Sequence, residues 1–342
     1  MKRFGYLVLL FALLAGSLVV GAEPVESRRP LRVVTTFFPL TDWARAIGGD
    51  RVRVHQLLPP GVEAHTFSPR PADMRAIQEA DVFLFLGPDM EPWARRLAPA
   101  PAHPRQVILE VAKRIPRVSD GSAHADHEKA EGPPTHTDDG DAHEHDHVHR
   151  GPHPHASHDH ADTDPHVWLD PVLAQQMVRA IAEAFAQADP DSAEIYRANA
   201  RAYMERLADL HQRIEATLRR VRHREILFAG HFVFGYFARR YGLDYRSAYP
   251  GFAPDAMPTP HAVAELIRRI RETGQQVIFH EELVDPKVAR VIAEETGARL
   301  VMLHGAHNLT PEEARRGTLT YLTIMEDNLR KLAEALGANE PD

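Results

Sequence analysis

The chain has 342 residues, of which 44% are hydrophobic, and this excludes a disordered or peptide-like protein because it is enough for two domains with buried cores. It contains 22 histidines and no cysteine, which excludes disulfide frameworks, cysteine-based zinc fingers, iron–sulfur clusters and thiol nucleophiles. The formal net charge is −8, but the excess acidity lies in residues 119–165. Without Lys2 and Arg3 at the chain start, the remainder is neutral and does not suggest nucleic-acid binding.

Residues 1–22 are predicted to be a secretory signal peptide that is cleaved on export. Lys2 and Arg3 form its charged start, residues 7–14 form an apolar centre, and small residues at 20–22 form a cleavage site. The alternative is a short uncleaved membrane anchor, because the apolar run extends over 19 residues. We expect a soluble, exported protein in an envelope compartment such as the periplasm.

The first half of the chain alternates apolar, strand-like runs with helical patterns, which is typical of βα units around a parallel sheet. The predicted strands are residues 32–37, 52–58, 81–87 and 106–111, and the predicted helices are residues 40–47 and 71–79. These elements predict an N-terminal α/β domain over residues 31–188.

Residues 119–165 interrupt this domain with a segment of unusual composition. The segment contains 11 histidines and 12 acidic side chains against two basic ones, which gives it a formal charge of −10. Because it has almost no large aliphatic side chains, it cannot bury enough apolar surface to order itself, and we expect a disordered, His-rich acidic loop. Imidazoles among carboxylates on such a loop are expected to bind several Zn(II) ions weakly. The histidines assigned to these weak sites are His143, His145, His147, His149, His153, His155, His158 and His160.

One long amphipathic helix is predicted over residues 189–222. From Tyr196 to Val221, large apolar side chains recur at helical spacings, and neither glycine nor proline interrupts this part of the chain. A helix of this length would span about 45 Å at 1.5 Å per residue and would act as a stiff connection between two domains. The alternative is an ordinary packed helix within one larger domain.

The alternation of strands and helices then resumes and predicts a C-terminal α/β domain over residues 223–342. The predicted strands are residues 225–230, 276–280 and 299–303, and the predicted helices are residues 232–241, 261–273 and 286–296. The predicted fold class is therefore α/β, with two small parallel-sheet domains joined by one long rigid helix.

Several histidines outside the loop lie at the carboxyl ends of predicted strands. His65, His231, His304 and His307 all follow such strands. Ligands of open α/β sheets bind at this edge, so imidazoles from distant parts of the chain can meet there. Three or four imidazoles with a carboxylate suit Zn(II) or, with more oxygen ligands, Mn(II).

Six sequence motifs, in the same order along the chain, point to one protein family. They are residues 33–39 (VVTTFFP), 61–74 (GVEAHTFSPRPADM), 80–90 (ADVFLFLGPDM), 164–171 (DPHVWLDP), 230–237 (GHFVFGYF) and 279–287 (FHEELVDPK). The chain resembles the solute-binding proteins of zinc and manganese ABC transporters, the ZnuA/TroA-like family, over nearly its whole mature length. The resemblance implies a metal bound in the cleft between two α/β domains, delivery to an ABC-type membrane permease, and no enzymatic activity.

The resemblance also implies the metal ligands. The first three positions fall on His65, His166 and His231. The fourth, where relatives commonly carry a carboxylate, falls on either His307 or His304, and we favour His307 because it allows a longer turn to reach the cleft. An imidazole at this position argues for zinc over manganese.

Two carboxylates accompany these candidate ligands. Glu63 is interpreted as an alternate oxygen ligand or as a partner that orients an imidazole, and Glu281 as a supporting or helix-capping residue. The His-rich loop is also similar to the acidic histidine insertion of zinc-specific family members, and we expect it to gather metal for the fixed site.

The leading functional hypothesis is a monomeric periplasmic receptor that captures Zn(II) and delivers it to an ABC-type permease. One alternative is a zinc buffer or chaperone in which the loop is the main functional element. The others are a manganese receptor and a zinc hydrolase with three histidine ligands and an open coordination position.

Overall fold

The computed structural model describes residues 29–64, 67–97, 99–116, 163–249, 251 and 257–338. The predicted signal peptide, His65 and the eight histidines assigned to weak loop sites lie outside the described residues. Within the described part of the chain, no helix has the length and apolar character needed to cross a membrane.

The first sheet contains four parallel strands in the order β2-β1-β3-β4. Its strands are β1 (Leu31–Thr35), β2 (Val52–Gln56), β3 (Val82–Phe85) and β4 (Val107–Glu110). The accompanying helices are α1 (Phe38–Gly48), α2 (Pro71–Glu79), α3 (Ala94–Leu97) and α4 (Pro171–Ala188). The central strand β3 is buried along its whole length, as expected for a parallel sheet covered on both faces.

The second sheet repeats this topology, with four parallel strands in the order β6-β5-β7-β8. Its strands are β5 (Glu225–Phe228), β6 (Asp244–Ser247), β7 (Val277–His280) and β8 (Arg299–Met302). The helices of this half are α6 (Gly235–Tyr241), α7 (Pro260–Thr273), α8 (Lys287–Thr296), α9 (Pro311–Arg316) and α10 (Tyr321–Leu336). The predicted fold class, α/β with two parallel sheets, is confirmed.

Helix α5 (Ala193–Leu218) connects the two halves. It is shorter than the predicted helix because residues Pro190–Ser192 form a 3₁₀ turn before it, and its 26 residues span about 39 Å. Asn199 on α5 donates to the carbonyl of Ile47 in the first half, and His211 lies within hydrogen-bond distance of Tyr241 in the second. The helix therefore packs against both halves and does not cross an open gap.

The largest hydrophobic core is continuous through both halves of the molecule. It includes Trp43 from α1, Leu210 from α5 and Phe228 from β5, all fully buried. Smaller clusters cover the other face of each sheet. This shared core makes wide separation of the halves costly, because opening them would expose apolar surface to water.

The ends of the strands differ from the predicted ones. The predicted strand 225–230 ends at Phe228, and the predicted strand 81–87 ends at Phe85. Beyond these ends, Leu86 and Gly87 donate their backbone N–H groups to the Glu91 carboxylate, and His231 donates its N–H to Glu281. Strand β6 was not predicted, because its sequence DYRS lacks the apolar character of the other strands.

Candidate metal site

His166 lies at the junction of the two halves, immediately before the 3₁₀ turn Val167–Leu169 that leads into α4. Its side chain is fully buried. One oxygen of Asp164 accepts the backbone N–H of His166 at 2.9 Å and lies 2.7 Å from Nδ1 of the same residue. This double contact fixes both the backbone and the ring of His166, and it directs Nε2 away from Asp164.

His231 lies in the segment between β5 and α6. Its backbone N–H donates to Oε1 of Glu281 at 3.1 Å. The approach of Glu281 depends on Gly230, because a Cβ atom at this position would lie 1.5 Å from Oε2 of Glu281. The glycine before His231 thus allows the carboxylate from the neighbouring strand end to hold the turn.

His307 lies in the turn between β8 and α9, and its ring is buried. Nδ1 of His307 lies 3.0 Å from Oε1 of Glu282, and the backbone carbonyl of His307 accepts the N–H of Phe38 at 3.2 Å. Ala306, just before it, has a positive φ of 57°, which turns the chain sharply between His304 and His307.

His304 has a different environment, although it is only three residues away. Its Nδ1 accepts the N–H of Ala306 at 2.9 Å, and its Nε2 lies 3.6 Å from Oε2 of Glu313. Asn328 also binds both the backbone N–H and the carbonyl of His304. These contacts assign His304 to the support of its own turn, and they favour His307 as the residue that faces the other imidazoles.

Three imidazole rings from three distant segments meet at this junction. The ring centre of His166 lies 5.5 Å from that of His231 and 5.7 Å from that of His307. In a tetrahedral zinc site with Zn–N bonds of about 2.0–2.1 Å, neighbouring ring centres lie about 5 Å apart. Among the residues that the structure describes, no group of three histidine, aspartate or glutamate side chains already forms a metal-binding cluster. The two measured ring spacings exceed this value by less than 1 Å.

Trp168 connects the two halves beside these rings. Its ring lies 5.2 Å from that of His166 and 5.6 Å from that of His307, measured between ring centres. Its indole N–H donates to the carbonyl of Gly305 at 2.7 Å. The tryptophan thus covers the apolar sides of two imidazoles and ties the turn of His307 to the start of α4.

The segment that precedes His65 is held against the turn of His307. Asn308 donates from Nδ2 to the carbonyls of Pro59 and Val62, at 2.6 and 3.0 Å. Gly61 donates its N–H to the carbonyl of Leu309 at 2.7 Å. The charge of Glu63 also raises the pKa of His307, so this carboxylate acts on the site.

The electrostatics of the site depend on Glu282. Burial by itself would raise the pKa of this carboxyl, but the charges and hydrogen bonds of His304 and His307 hold it well below its ordinary value. In the case of His307, burial lowers the imidazole pKa, while Glu282 outweighs this effect and raises it. Burial raises the pKa of Glu281, against the opposing N–H of His231. Glu282 is thus the ionised carboxylate of this part of the site.

Sequence reasoning missed four residues that support the site, namely Asp164, Glu282, Trp168 and Asn308. Asp164 and Trp168 are part of the motif that contains His166, so their spacing of two residues on either side of the histidine was an available signal. Glu282 had no such signal, because it follows strand β7 and contacts His307, which follows the neighbouring strand β8. Asp285, which follows Glu281 in the motif of residues 279–287, is exposed and contacts Arg290.

The family of the chain follows from comparison with known proteins. The chain matches the model of the family ZnuA, described as zinc-uptake complex component A periplasmic, over residues 33–335. The chain belongs to this family. The resemblance seen in the sequence motifs is therefore confirmed.

Relatives within this group agree in sequence and in structure. The high-affinity zinc uptake system protein ZnuA of Bacillus subtilis (strain 168) is 33% identical over 90% of this chain and 88% of its own length. The zinc-binding protein AdcA of Streptococcus pyogenes serotype M3 is 30% identical over 91% of this chain, and the match spans 57% of that longer protein. The Zn(II)-bound ZnuA-like domain of AdcA from Streptococcus pneumoniae is 25% identical, with a TM-score of 0.68 over 90% of this chain and 99% of that one.

Proposed function

We propose that this protein is a high-affinity zinc receptor that captures one Zn(II) ion at the junction of its two halves and delivers it to an ABC-type membrane permease. The observation that carries this function is the meeting of His166, His231 and His307, each of which contacts a different carboxylate. A relative and a related solved structure are both named for zinc binding. Zinc is the transported substrate here, and its coordination is the whole task of the site.

We propose that His65, the first ligand position implied by the family resemblance, completes the site beside His166, His231 and His307. Its neighbour Glu63 acts electrostatically on His307, and Asn308 holds residues 59–62 against the turn that carries His307. Four imidazoles would fill a tetrahedral zinc site and leave no open position for an attacking water. This closed site, in a family of zinc-uptake components, supports transport over hydrolysis.

An all-imidazole site favours zinc over manganese. Mn(II) is a harder ion that prefers carboxylate and water oxygens, and it stands below Zn(II) in intrinsic affinity for nitrogen ligands. We therefore expect stoichiometric Zn(II) to displace bound Mn(II) in a competition experiment. This result would exclude the manganese receptor.

The decisive experiment is a zinc titration of the purified mature protein against a chromophoric chelator, with metal content measured after gel filtration. The expected result is one tightly bound zinc per chain that survives filtration. The double variant His65→Ala/His231→Ala should lose this ion completely. A single tight zinc retained by that variant would overturn the site.

A matched control is His211→Ala, because His211 lies on α5 and contacts Tyr241 rather than the three rings. This variant removes one imidazole from the chain but none from the site. It should bind the single zinc ion with unchanged affinity.

The zinc-buffer alternative is tested by removing the His-rich loop. Residues 119–162 would be replaced by a short Gly-Ser linker, which keeps Asp164 and its contact with His166. The receptor function predicts that the tight ion remains and only weak, rapidly exchanging zinc is lost. The buffer function predicts that nearly all binding disappears.

The location and partners of the protein follow from the same function. The family description places its members in the periplasm, and we propose that residues 1–22 direct export and are removed there. We further propose that the receptor works as a monomer that docks on the permease. Crosslinking of the zinc-loaded protein to membranes that contain the permease would test this partner.

A further inference from the structure

Glu282 divides its two carboxylate oxygens between two groups of the same turn. Oε1 lies 3.0 Å from Nδ1 of His307, and Oε2 accepts the backbone N–H of Gly305 at 2.6 Å. The Glu282 side chain is 2% exposed, so water does not compete for these contacts. Both atoms that approach Glu282 are thus held at fixed positions inside the protein.

A carboxylate accepts hydrogen bonds and does not donate them. The proton of the neutral His307 ring must therefore lie on Nδ1, which leaves the lone pair of Nε2 for a metal. A second imidazole, that of His304, also approaches Oε1, but its Nδ1 is farther away at 3.3 Å and lies 2.9 Å from the backbone N of Ala306. The shorter contact of Oε1 is thus the one to His307.

We propose that Glu282 is the positioning residue that makes His307 a zinc ligand, by holding the ring proton on Nδ1 and anchoring the turn through Gly305. This inference rests on the proposed zinc-binding function. Carboxylates that accept the second ring N–H of a ligating histidine fix its orientation and increase its basicity. Glu282 does this for His307 from a different strand of the sheet.

The charge of the site gives Glu282 a second role. Four neutral imidazoles leave the two positive charges of Zn(II) uncompensated in a buried place, which is unfavourable. Asp164 contacts the ring of His166 and the ionised Glu282 contacts the ring of His307, so two carboxyl groups lie directly behind two of the rings. The negative charge that balances Zn(II) is thus carried by a residue that contacts a ligand, and the ligand itself remains an imidazole nitrogen.

The variant Glu282→Gln keeps the shape of the side chain but replaces one acceptor oxygen by a donor and removes the charge. The Gln carbonyl can still accept the N–H of Gly305, but its NH₂ group then faces Nδ1 of His307 and requires the ring to accept. That contact moves the ring proton to Nε2, where it blocks the metal. The reversed amide would place NH₂ against the Gly305 N–H, two donors facing each other, and is disfavoured.

The test is a double-mutant cycle on zinc affinity, with Glu282→Gln and His307→Ala made singly and together in the full mature protein. We expect Glu282→Gln to weaken zinc binding about 10- to 100-fold, as found for partners of ligating histidines. In the His307→Ala background only the loss of the charge remains, so the same change should weaken binding by a much smaller factor. An equal loss in both backgrounds would show that Glu282 supports the fold and does not act through His307.

A control and a second measurement complete the test. Glu313→Gln removes a neighbouring carboxylate that faces His304, and it should leave zinc affinity unchanged. In the wild-type protein, ring ¹⁵N shifts of His307 should show the proton on Nδ1 in the zinc complex, a readout that needs no variant to fold. A proton on Nε2, or wild-type affinity in Glu282→Gln, overturns this inference while the tight zinc of the wild type stands. Absence of tight zinc in the wild type overturns the proposed function itself.

Discussion

Asn308 donates a hydrogen bond from Nδ2 to the carbonyl of Pro59 at 2.6 Å, and this contact joins two turns that lie 249 residues apart in the chain. One turn contains His307, and the other leads to His65. The same amide reaches Val62, and Gln56 donates to Oδ1 of Asn308 at 3.1 Å. Nδ2 of Asn308 therefore holds the second turn, and Oδ1 accepts a hydrogen bond from the end of strand β2.

Replacing Asn308 by alanine should loosen both turns and accelerate zinc release. Loss of buried hydrogen bonds to carbonyls costs roughly 1–3 kcal/mol, which corresponds to a dissociation rate higher by about tenfold or more. Stopped-flow transfer of zinc to a chelator measures this rate. Asn199→Ala is the matched control, because it removes one amide bond to the carbonyl of Ile47 far from the site. Equal rates in the two variants would argue against the role of Asn308.

Replacing Gly230 by alanine should displace Glu281 and, with it, the N–H contact of His231. The new Cβ would lie 1.5 Å from the Glu281 carboxylate, so the side chain or the turn must move. We expect a loss of about 1–3 kcal/mol in the free energy of unfolding, and weaker zinc binding. Urea denaturation and zinc titration measure the two effects.

The control for this change is Gly87→Ala. A Cβ at Gly87 would meet its nearest atom, in Glu110, at 3.5 Å, which is an ordinary contact. The control variant should keep wild-type zinc affinity. If Gly230→Ala binds zinc as tightly as Gly87→Ala, the close packing of Glu281 does not matter for the site.

Asp170 should contribute to stability in two separable ways. Its Oδ1 caps the start of α4 by accepting the N–H of Val172, and its Oδ2 pairs with Arg240 of the other half. Asp170→Ala removes both contacts and should cost about 2–4 kcal/mol, whereas Asp170→Asn retains the cap and should cost about 1 kcal/mol. Thermal unfolding of the metal-free protein distinguishes them. The exposed Asp209→Ala, which breaks a surface pair with Arg213, should cost less than about 0.5 kcal/mol.

Glu91 should make the folded state less stable as the pH rises. Burial raises the pKa of this carboxyl to about 7, although it accepts hydrogen bonds from Thr36, Gly87 and Leu86. Between pH 4.5 and 7 the unfolded chain ionises first, so stability falls with increasing pH and the loss is complete above pH 7. A shift of this size corresponds to about 3 kcal/mol.

The variant Glu91→Gln cannot ionise and tests this prediction. Its stability relative to the wild type should increase by about 3 kcal/mol between pH 4.5 and pH 8, measured by urea unfolding without metal. The exposed Glu79→Gln should show no such change. A pH-independent difference between Glu91→Gln and the wild type would contradict the buried, raised carboxyl.

The sequence was sufficient for much of this molecule because the deciding information is local. Strand runs such as residues 82–85 and helices such as Pro71–Glu79 are predicted by the period of apolar residues and by proline at the helix start. His166 and His231 were identified within short motifs that match a known family. For such elements, neighbours in sequence are also the neighbours that determine structure.

The tertiary structure decided the features that depend on contacts between distant segments. His304 and His307 lie in one turn, and no local pattern shows which ring approaches His166. Glu282, 25 residues before His307, contacts Nδ1 of His307, while the N–H of Ala306 donates to Nδ1 of His304. The apolar residues at helical spacing along α5 predict that one face of the helix is buried. They do not predict that this face belongs to a core shared by both halves. The absence of cysteine by itself thus left imidazole and carboxylate as the strong ligands for a transition metal, whereas packing between strands determined which imidazoles meet, because a hydrogen bond between distant residues exists only after the chain has folded.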